Sequence, residues 1–303
     1  TLLFQASSVE KFANYLRLDG STDAQNSQSP LVCIKPGKEG VKPLFLVHPV
    51  GGSVFCYHEL SNEMHEDQPV YGLQLSLGVN KDSTKTQIRE MAASYIETIK
   101  DVTGNDALIL GGWSLGGVIA YEMARQLEVK GHAPEIIFLI DSASPDSYES
   151  IEELDEVNLL VLMAMELGLQ IHQLSLPRLI DDSANSGLNY LLDLCQQQGL
   201  LPETFTDKNL EERYNLMRSN QNAQTNYIHQ AGSYTGRTAV FRAEHQLSIR
   251  QDTVYLGWKP HALQLEIYDI PGDHFSLIRK PNVETLGKRL DVLLEQTNQG
   301  AKK

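Results

Sequence analysis

Residues 107–127, ALILGGWSLGGVIAYEMARQL, join an apolar β-branched run, a glycine-flanked serine and a helical pattern in one stretch. Gly112-Trp113-Ser114-Leu115-Gly116 fits the GxSxG pattern, with the strand before it and the helix after it that give the pattern meaning. A strand that turns into a helix over so few residues brings backbones too close for Cβ atoms, hence the flanking glycines. The turn lifts the Ser114 hydroxyl above the strand ends, in a strained backbone conformation that packing must hold. The helix that follows aims its N-terminal amides and positive dipole end at the same point, so negative charge developing beside Ser114 is stabilised. Ser114 is therefore the candidate nucleophile. A Gly-rich turn with an incidental serine would share the pattern but not the flanking elements.

Around this stretch, apolar runs alternate with helical patterns. LVCIK (31–35), PLFLVH (43–48), PVYGL (69–73), ALILGG (107–112), EIIFLID (135–141), TAVFRA (238–243) and LQLEIYDI (263–270) are predicted strands. The later ones are short and continuously apolar, as parallel strands covered on both faces are. Helical spacing falls near 85–100, 115–130 and 281–295. Strand–helix alternation implies an α/β domain, and the serine turn within it implies the α/β-hydrolase fold, a mostly parallel sheet flanked by helices. Residues 150 to about 232 break the rhythm with helical segments only (157–169, 188–198, 210–229), which predicts an all-helical lid inserted over the sheet. Its apolar residues Leu159, Leu160, Leu162, Met163 and Leu167 could line a substrate channel or simply pack the lid on the core.

A serine hydroxyl needs a base. Chain order in this fold is nucleophile, acid, histidine, with the histidine on a loop after the last strand. His274 in IPGDHFSLI (270–278) stands there, whereas His229, His245 and His261 are read as surface or packing residues. Two carboxylates could orient the imidazole: Asp141 at the end of EIIFLID, and Glu244 at the end of TAVFRAE. Spacing alone leaves these two even, and Asp273, beside His274, is read as structural. The oxyanion hole needs two backbone amides, one from Leu115 and the other from the loop after an early strand. FLVHPVGGS (45–53) supplies such a loop, with Val50 as donor and Gly51 and Gly52 permitting the tight turn, although a plain Gly-Gly turn would have the same composition.

The formal net charge of −14 argues against nucleic acid or an anionic membrane as partner. Three scattered cysteines, Cys33, Cys56 and Cys195, suit a reducing cytoplasm and offer neither a disulfide framework nor a zinc site. No signal segment opens the chain, and the nearly apolar stretch 159–171 carries Glu166 and is too short to cross a bilayer. The first residue is Thr rather than Met, which implies a piece of a longer polypeptide. Residues 2–18 read as a helix and 19–30, DGSTDAQNSQSP, as a linker.

The chain resembles the type I thioesterase domains that end non-ribosomal peptide synthetases and polyketide synthases. The likeness runs from about Leu31 to Leu294 through PLFLVHPVGG, LILGGWSLGGVIAYEMA, FLIDSASP and GWKPHALQLEIYDIPGDHFSLIRKPNVETLGKRL. In that family the acid follows the strand after the nucleophile strand, which implies Asp141. TLLFQASSVEKFANYL is similar to the last helix of an acyl or peptidyl carrier protein, so residues 1–18 would be a carrier remnant ahead of a thioesterase domain at 31–303. The resemblance implies an acyl-thioester substrate on an upstream carrier's phosphopantetheine, and release by hydrolysis or macrocyclisation with no cofactor or metal of the domain's own. It accommodates monomer or dimer, and peptide or polyketide. A stand-alone editing thioesterase shares the motifs without the carrier-like segment. A carboxylesterase of the same fold would prefer oxygen esters.

Overall fold

The computed structural model describes residues 29–75, 87–103, 108–148, 156–180, 186–227, 233–246 and 254–300. The carrier-like helix, most of the linker and His229 lie outside the described residues. Among the described residues seven strands form one sheet: β1 (Leu31–Lys35), β2 (Leu44–Val47), β3 (Val70–Leu73), β4 (Ile109–Trp113), β5 (Ile136–Ile140), β6 (Tyr234–His245) and β7 (Ala262–Asp273). Their spatial order is β1-β3-β2-β4-β5-β6-β7; β1 is antiparallel to β3 and every other pair is parallel. This is the α/β-hydrolase fold that the alternation implied.

Alternation along the strands builds two cores, because successive side chains point to opposite faces. Phe45, Val47, Leu110, Ile137 and Leu139 face helices α2 (Ile88–Thr103) and α3 (Leu115–Val129). Leu44, Leu46, Ile109, Ile136 and Phe138 face α1 (Tyr57–Glu63) and α8 (Asn282–Gly300). The amphipathic spacing of Met91, Tyr95, Ile96 and Ile99 on α2, and of Leu286, Leu290 and Leu293 on α8, supplies the covering faces.

Between β5 and β6 the chain makes only helices among the described residues: α4 (Glu156–Glu166), a one-turn α5 (Leu176–Leu179), α6 (Ser186–Gln197) and α7 (Asp207–Thr225), with short 3₁₀ turns at Pro145–Tyr148 and Ile171–Gln173. Leu159, Leu160 and Met163 are buried and Leu162 and Leu167 half-buried, all packed into the core of the α2–α3 face. Thr206 caps α7 in a reciprocal box with Asn209, satisfying N-terminal amides of the helix. Among the described residues no helix is long and apolar enough to cross a membrane, and no cluster of three metal-ligating side chains forms.

The strand order reverses between β2 and β4. Chain leaving β2 runs outward to β3, chain leaving β4 runs the other way to β5, and a crevice opens over the carboxyl ends at that switch point. The HPVGG loop follows β2, and Ser114 follows β4.

Candidate active site

Ser114 adopts φ 57° and ψ −125°, a conformation that L-residues rarely hold. Close packing on three sides fixes it. A Cβ on Gly112 would lie 2.2 Å from the Gly116 carbonyl carbon, one on Gly116 2.2 Å from the Val47 oxygen, and one on Gly117 2.5 Å from Ser142 Cβ. The Ser114 amide donates to the Ile140 carbonyl at 3.0 Å, tying the turn to β5. Tyr57, fully buried, ties it to β2: its hydroxyl donates to the Val47 carbonyl at 2.5 Å and accepts from the Trp113 amide at 2.7 Å. Ser114 occupies the N-cap position of α3 but makes no side-chain capping bond, so capping makes no claim on its hydroxyl.

His274 is on the turn after β7 and is almost buried. Its ring sits 5.2 Å from that of Trp113 and edge-on to Phe275 at 5.0 Å, and Trp113 Nε1 donates to its carbonyl at 3.0 Å. Its Nδ1 meets Asp141 Oδ2 at 2.6 Å. Asp141, itself buried, follows β5 at φ 39° and accepts at Oδ1 from the Ala243 amide and Gln246 Nε2, both at 3.0 Å. The carboxylate is thus held by β6 on one side and aimed at the imidazole on the other. Trp258 steadies the loop behind it, donating from Nε1 to the Ser142 carbonyl at 2.6 Å, while the Ser144 amide donates to Leu256 O at 2.8 Å.

Of the two carboxylates that spacing left even, the structure brings Asp141 to His274 and leaves Glu244 exposed on β6. Asp273 caps its own turn, accepting at Oδ1 from the amides of Phe275 and Ser276 at 2.9 Å each. His261 pairs with Asp146 at 2.5 Å, away from His274.

The loop after β2 comes next to Ser114. Its first peptide is fixed through the Pro49 carbonyl, which accepts from the Gly52 amide at 3.0 Å and from His48 Nδ1 at 2.7 Å. His48 is fully buried, and its Nε2 accepts from the Tyr95 hydroxyl at 2.8 Å. Burial pushes its pKa down to about 4, so near neutral pH the ring is uncharged, with the proton on Nδ1 facing Pro49. Gly52 takes φ 75°, so this glycine is conformationally required. Among the described residues, neither the Val50 nor the Leu115 amide donates a hydrogen bond within the protein.

Lid residues reach this loop. Glu166 Oε1 accepts from the Gly51 amide at 3.2 Å, and Asn220 Nδ2 donates to the Val50 carbonyl at 2.7 Å. Glu166 also pairs with Arg213 at 3.4 Å; its burial raises its pKa against the opposing pull of Arg213 and the Gly51 amide. Sequence patterning singles out Glu166 only as a charge in an apolar stretch, itself a signal because a buried charge needs a partner. Asn220, Gln246 and Tyr57 stand in segments with no such signal.

The mostly parallel sheet, with a strained serine after a central strand and a histidine–carboxylate pair beside the switch-point crevice, defines the class as an α/β-hydrolase. Residues 42–291 match the family model described as thioesterase domain, and the chain belongs to that family. It is similar to a dimodular nonribosomal peptide synthase of Bacillus subtilis (strain 168), at 30% identity over 98% of this chain and 12% of that protein. It is also similar to Thioesterase frbE of Dothideomycetidae sp. (strain 11243), at 27% identity over 88% of this chain and 95% of that one. Among solved structures, a holo four-domain nonribosomal peptide synthetase bound to AMP and glycine superposes with a TM-score of 0.79 at 27% identity, over 96% of this chain and 22% of that chain. The chain therefore spans about an eighth of the synthase and nearly all of the fungal thioesterase.

Proposed function

We propose that this chain is a chain-releasing thioesterase domain. It takes a finished acyl, peptidyl or polyketide chain from the phosphopantetheine of an upstream carrier protein onto Ser114, and releases it by hydrolysis or macrocyclisation. The observation that carries the reading is the 2.6 Å contact between His274 Nδ1 and Asp141 Oδ2 beside the strained Ser114 turn. A carboxylate at Nδ1 holds the tautomer that leaves Nε2 as base, and it stabilises the imidazolium once formed.

His274 takes the Ser114 proton as Oγ bonds to the thioester carbonyl carbon, and the amides of Val50 and Leu115 receive the oxyanion. The C–S bond then breaks, and the departing thiolate takes the proton from His274. Water, or a hydroxyl or amine of the acyl chain itself, is deprotonated by His274 and attacks the acyl-serine ester, and Ser114 recovers its proton. No metal or organic cofactor of the domain enters these steps. The synthase relatives, in which the matching segment is a small part of a longer chain, support the carrier as partner. The free thiols of Cys33, Cys56 and Cys195 are in keeping with the cytoplasm.

The test is intact-protein mass spectrometry with acyl pantetheine thioesters and with a fluorophosphonate. Ser114 should carry both adducts, Ser114→Ala neither, and the acyl adduct should decay to free acid or cyclised product. Absence of an adduct on Ser114 sinks the enzyme reading. A strong preference for the matching oxygen ester points instead to a carboxylesterase.

A further inference from the structure

The Val50–Gly51 peptide is gripped at both polar ends by side chains of the lid. Its carbonyl accepts from Asn220 Nδ2 of α7 at 2.7 Å, and its amide donates to Glu166 Oε1, the last residue of α4, at 3.2 Å. Because a peptide unit is planar, holding its C=O and its N–H from opposite sides fixes the whole plane, and with it the Val50 Cα at its edge. The Val50 N–H belongs to the preceding peptide, which is held at its far end through the Pro49 carbonyl, so its direction depends on where the clamped plane puts the shared Val50 Cα. A Cβ on Gly51 would lie 2.1 Å from Glu166 Oε2, so a side chain there would push the carboxylate off this peptide.

The grip is braced. Arg213 of α7 pairs with the other oxygen of Glu166 at 3.4 Å, joining the two lid helices. Arg279, on the His274 turn, donates from Nη2 to the Met165 and Glu166 carbonyls at 3.2 and 3.3 Å, satisfying the open C-terminal end of α4. Asn220 is buried, and the orientation of its amide follows from its partner, since a carbonyl can only accept. A buried carboxylate and a buried amide spent on one loop peptide are costly unless that peptide's direction matters.

We propose that Glu166 and Asn220 are positioning residues for the acyl transfer: the lid helices α4 and α7 clamp the Val50–Gly51 peptide and with it the Val50 Cα, so that docking of the lid, together with the hold on the Pro49 carbonyl, sets the direction of the Val50 amide in the oxyanion hole. This rests on the reading of Ser114 as nucleophile and Val50 as donor. Neither residue touches the reacting atoms. Both act through the backbone, so their loss falls on transition-state stabilisation rather than on substrate affinity.

The experiment compares Glu166→Ala, Glu166→Gln, Asn220→Ala, Asn220→Leu and the double alanine variant, using a short and a long acyl pantetheine thioester. Asn220→Leu and both alanine variants should lose at least about tenfold in kcat, with KM within about twofold, equally for both acyl lengths. Glu166→Gln retains the oxygen facing Gly51 and should stay within about threefold of the parent. The double variant should be no worse than the poorer single one by more than about threefold, because one peptide is released only once. A smaller loss in Asn220→Leu, a loss confined to KM or to the long acyl group, or a Glu166→Gln variant as slow as the alanine overturns the proposal. The two near-isosteric variants decide the matter if the alanine variants do not fold. If Ser114→Ala retains activity, the underlying reading fails instead.

Discussion

Asp141 gathers three partners on two oxygens: the His274 imidazole on Oδ2, and the Ala243 amide and Gln246 on Oδ1. Asparagine would keep the shape but set an amide N–H against a ring nitrogen, driving the imidazole to the tautomer with its proton on Nε2, where it cannot serve as base. Asp141→Asn should lower kcat by about 10³- to 10⁴-fold. Glu244→Gln should change it less than about twofold, and thioester turnover by the two variants checks the assignment. From residues alone these carboxylates were even, because each ends a strand and strand ends carry no address. Their difference is tertiary, arising where the His274 turn comes down. In the candidate site, Ser114, His274 and the HPVGG loop are legible because glycine spacing and chain order are themselves steric consequences of the turn. His48 makes a separate residue-scale prediction. Its pKa, about 4 when folded against 6.5 for the free side chain, means that protonation favours the unfolded chain. Its contribution is fully present above pH 6.5 and is lost as pH falls toward 4. Between pH 7 and pH 5 this one group should withdraw about 2 kcal/mol of stability. Denaturant titrations at the two pH values should show that slope flattened by about the same amount in His48→Gln.

The serine turn works as an element, since α3 must lie hard against β2 for Ser114 to stand where it does. A methyl group on Gly116 would meet the Val47 carbonyl at 2.2 Å, and backbone on both sides leaves no flexible side chain to yield. Gly116→Ala should therefore abolish turnover and cost about 3 kcal/mol or more, through strain comparable with overpacking a core. Gly131, just past the other end of α3, offers a control: φ is 79° there, and an added Cβ would meet nothing within 4 Å. Gly131→Ala should cost only about 1 kcal/mol and leave kcat unchanged, as thermal melts and thioester assays can show. At this scale each strand is legible as an apolar run, but β1's antiparallel direction is not, because alternation is blind to direction. Strands β6 and β7 extend beyond the predicted 238–243 and 263–270, to Tyr234–His245 and Ala262–Asp273. Beyond irregularities in the register, Arg237 pairs with Gln264 and His245 with Asp273, polar residues held in the ladder by their neighbours, which a run of apolar residues does not report. Helix α1, YHELSNE, carries no legible helical pattern because it is short and mostly polar, burying chiefly Tyr57 and Leu60.

Across the whole molecule, the lid and the catalytic body share one hydrophobic core. Leu191 and Cys195 of α6, Met217 of α7 and Met163 of α4 are buried in the same cluster as Leu110 of β4 and Val118 of α3. A lid built as an independent flap would close over a core already complete without it; here the body's apolar face is completed by the lid. The composition that makes α7 look like a solvent helix, DKNLEERYNLMRSNQNAQT, hides this, since its burial rests on a few residues such as Leu210, Tyr214 and Met217. The expectation is that lid and body unfold together. Both tryptophans, Trp113 and Trp258, are buried in the body, so their fluorescence reports the body alone. Leu191→Ala, a truncation wholly within the lid at a fully buried site, should still lower the denaturant midpoint read by tryptophan, with a loss of about 2–5 kcal/mol. Far-UV circular dichroism, which is weighted toward the helices, should trace the same transition. A tryptophan midpoint indifferent to Leu191→Ala, with the helical signal lost earlier, would mean that the lid melts on its own, and a clamp on the oxyanion loop would then open before the fold does.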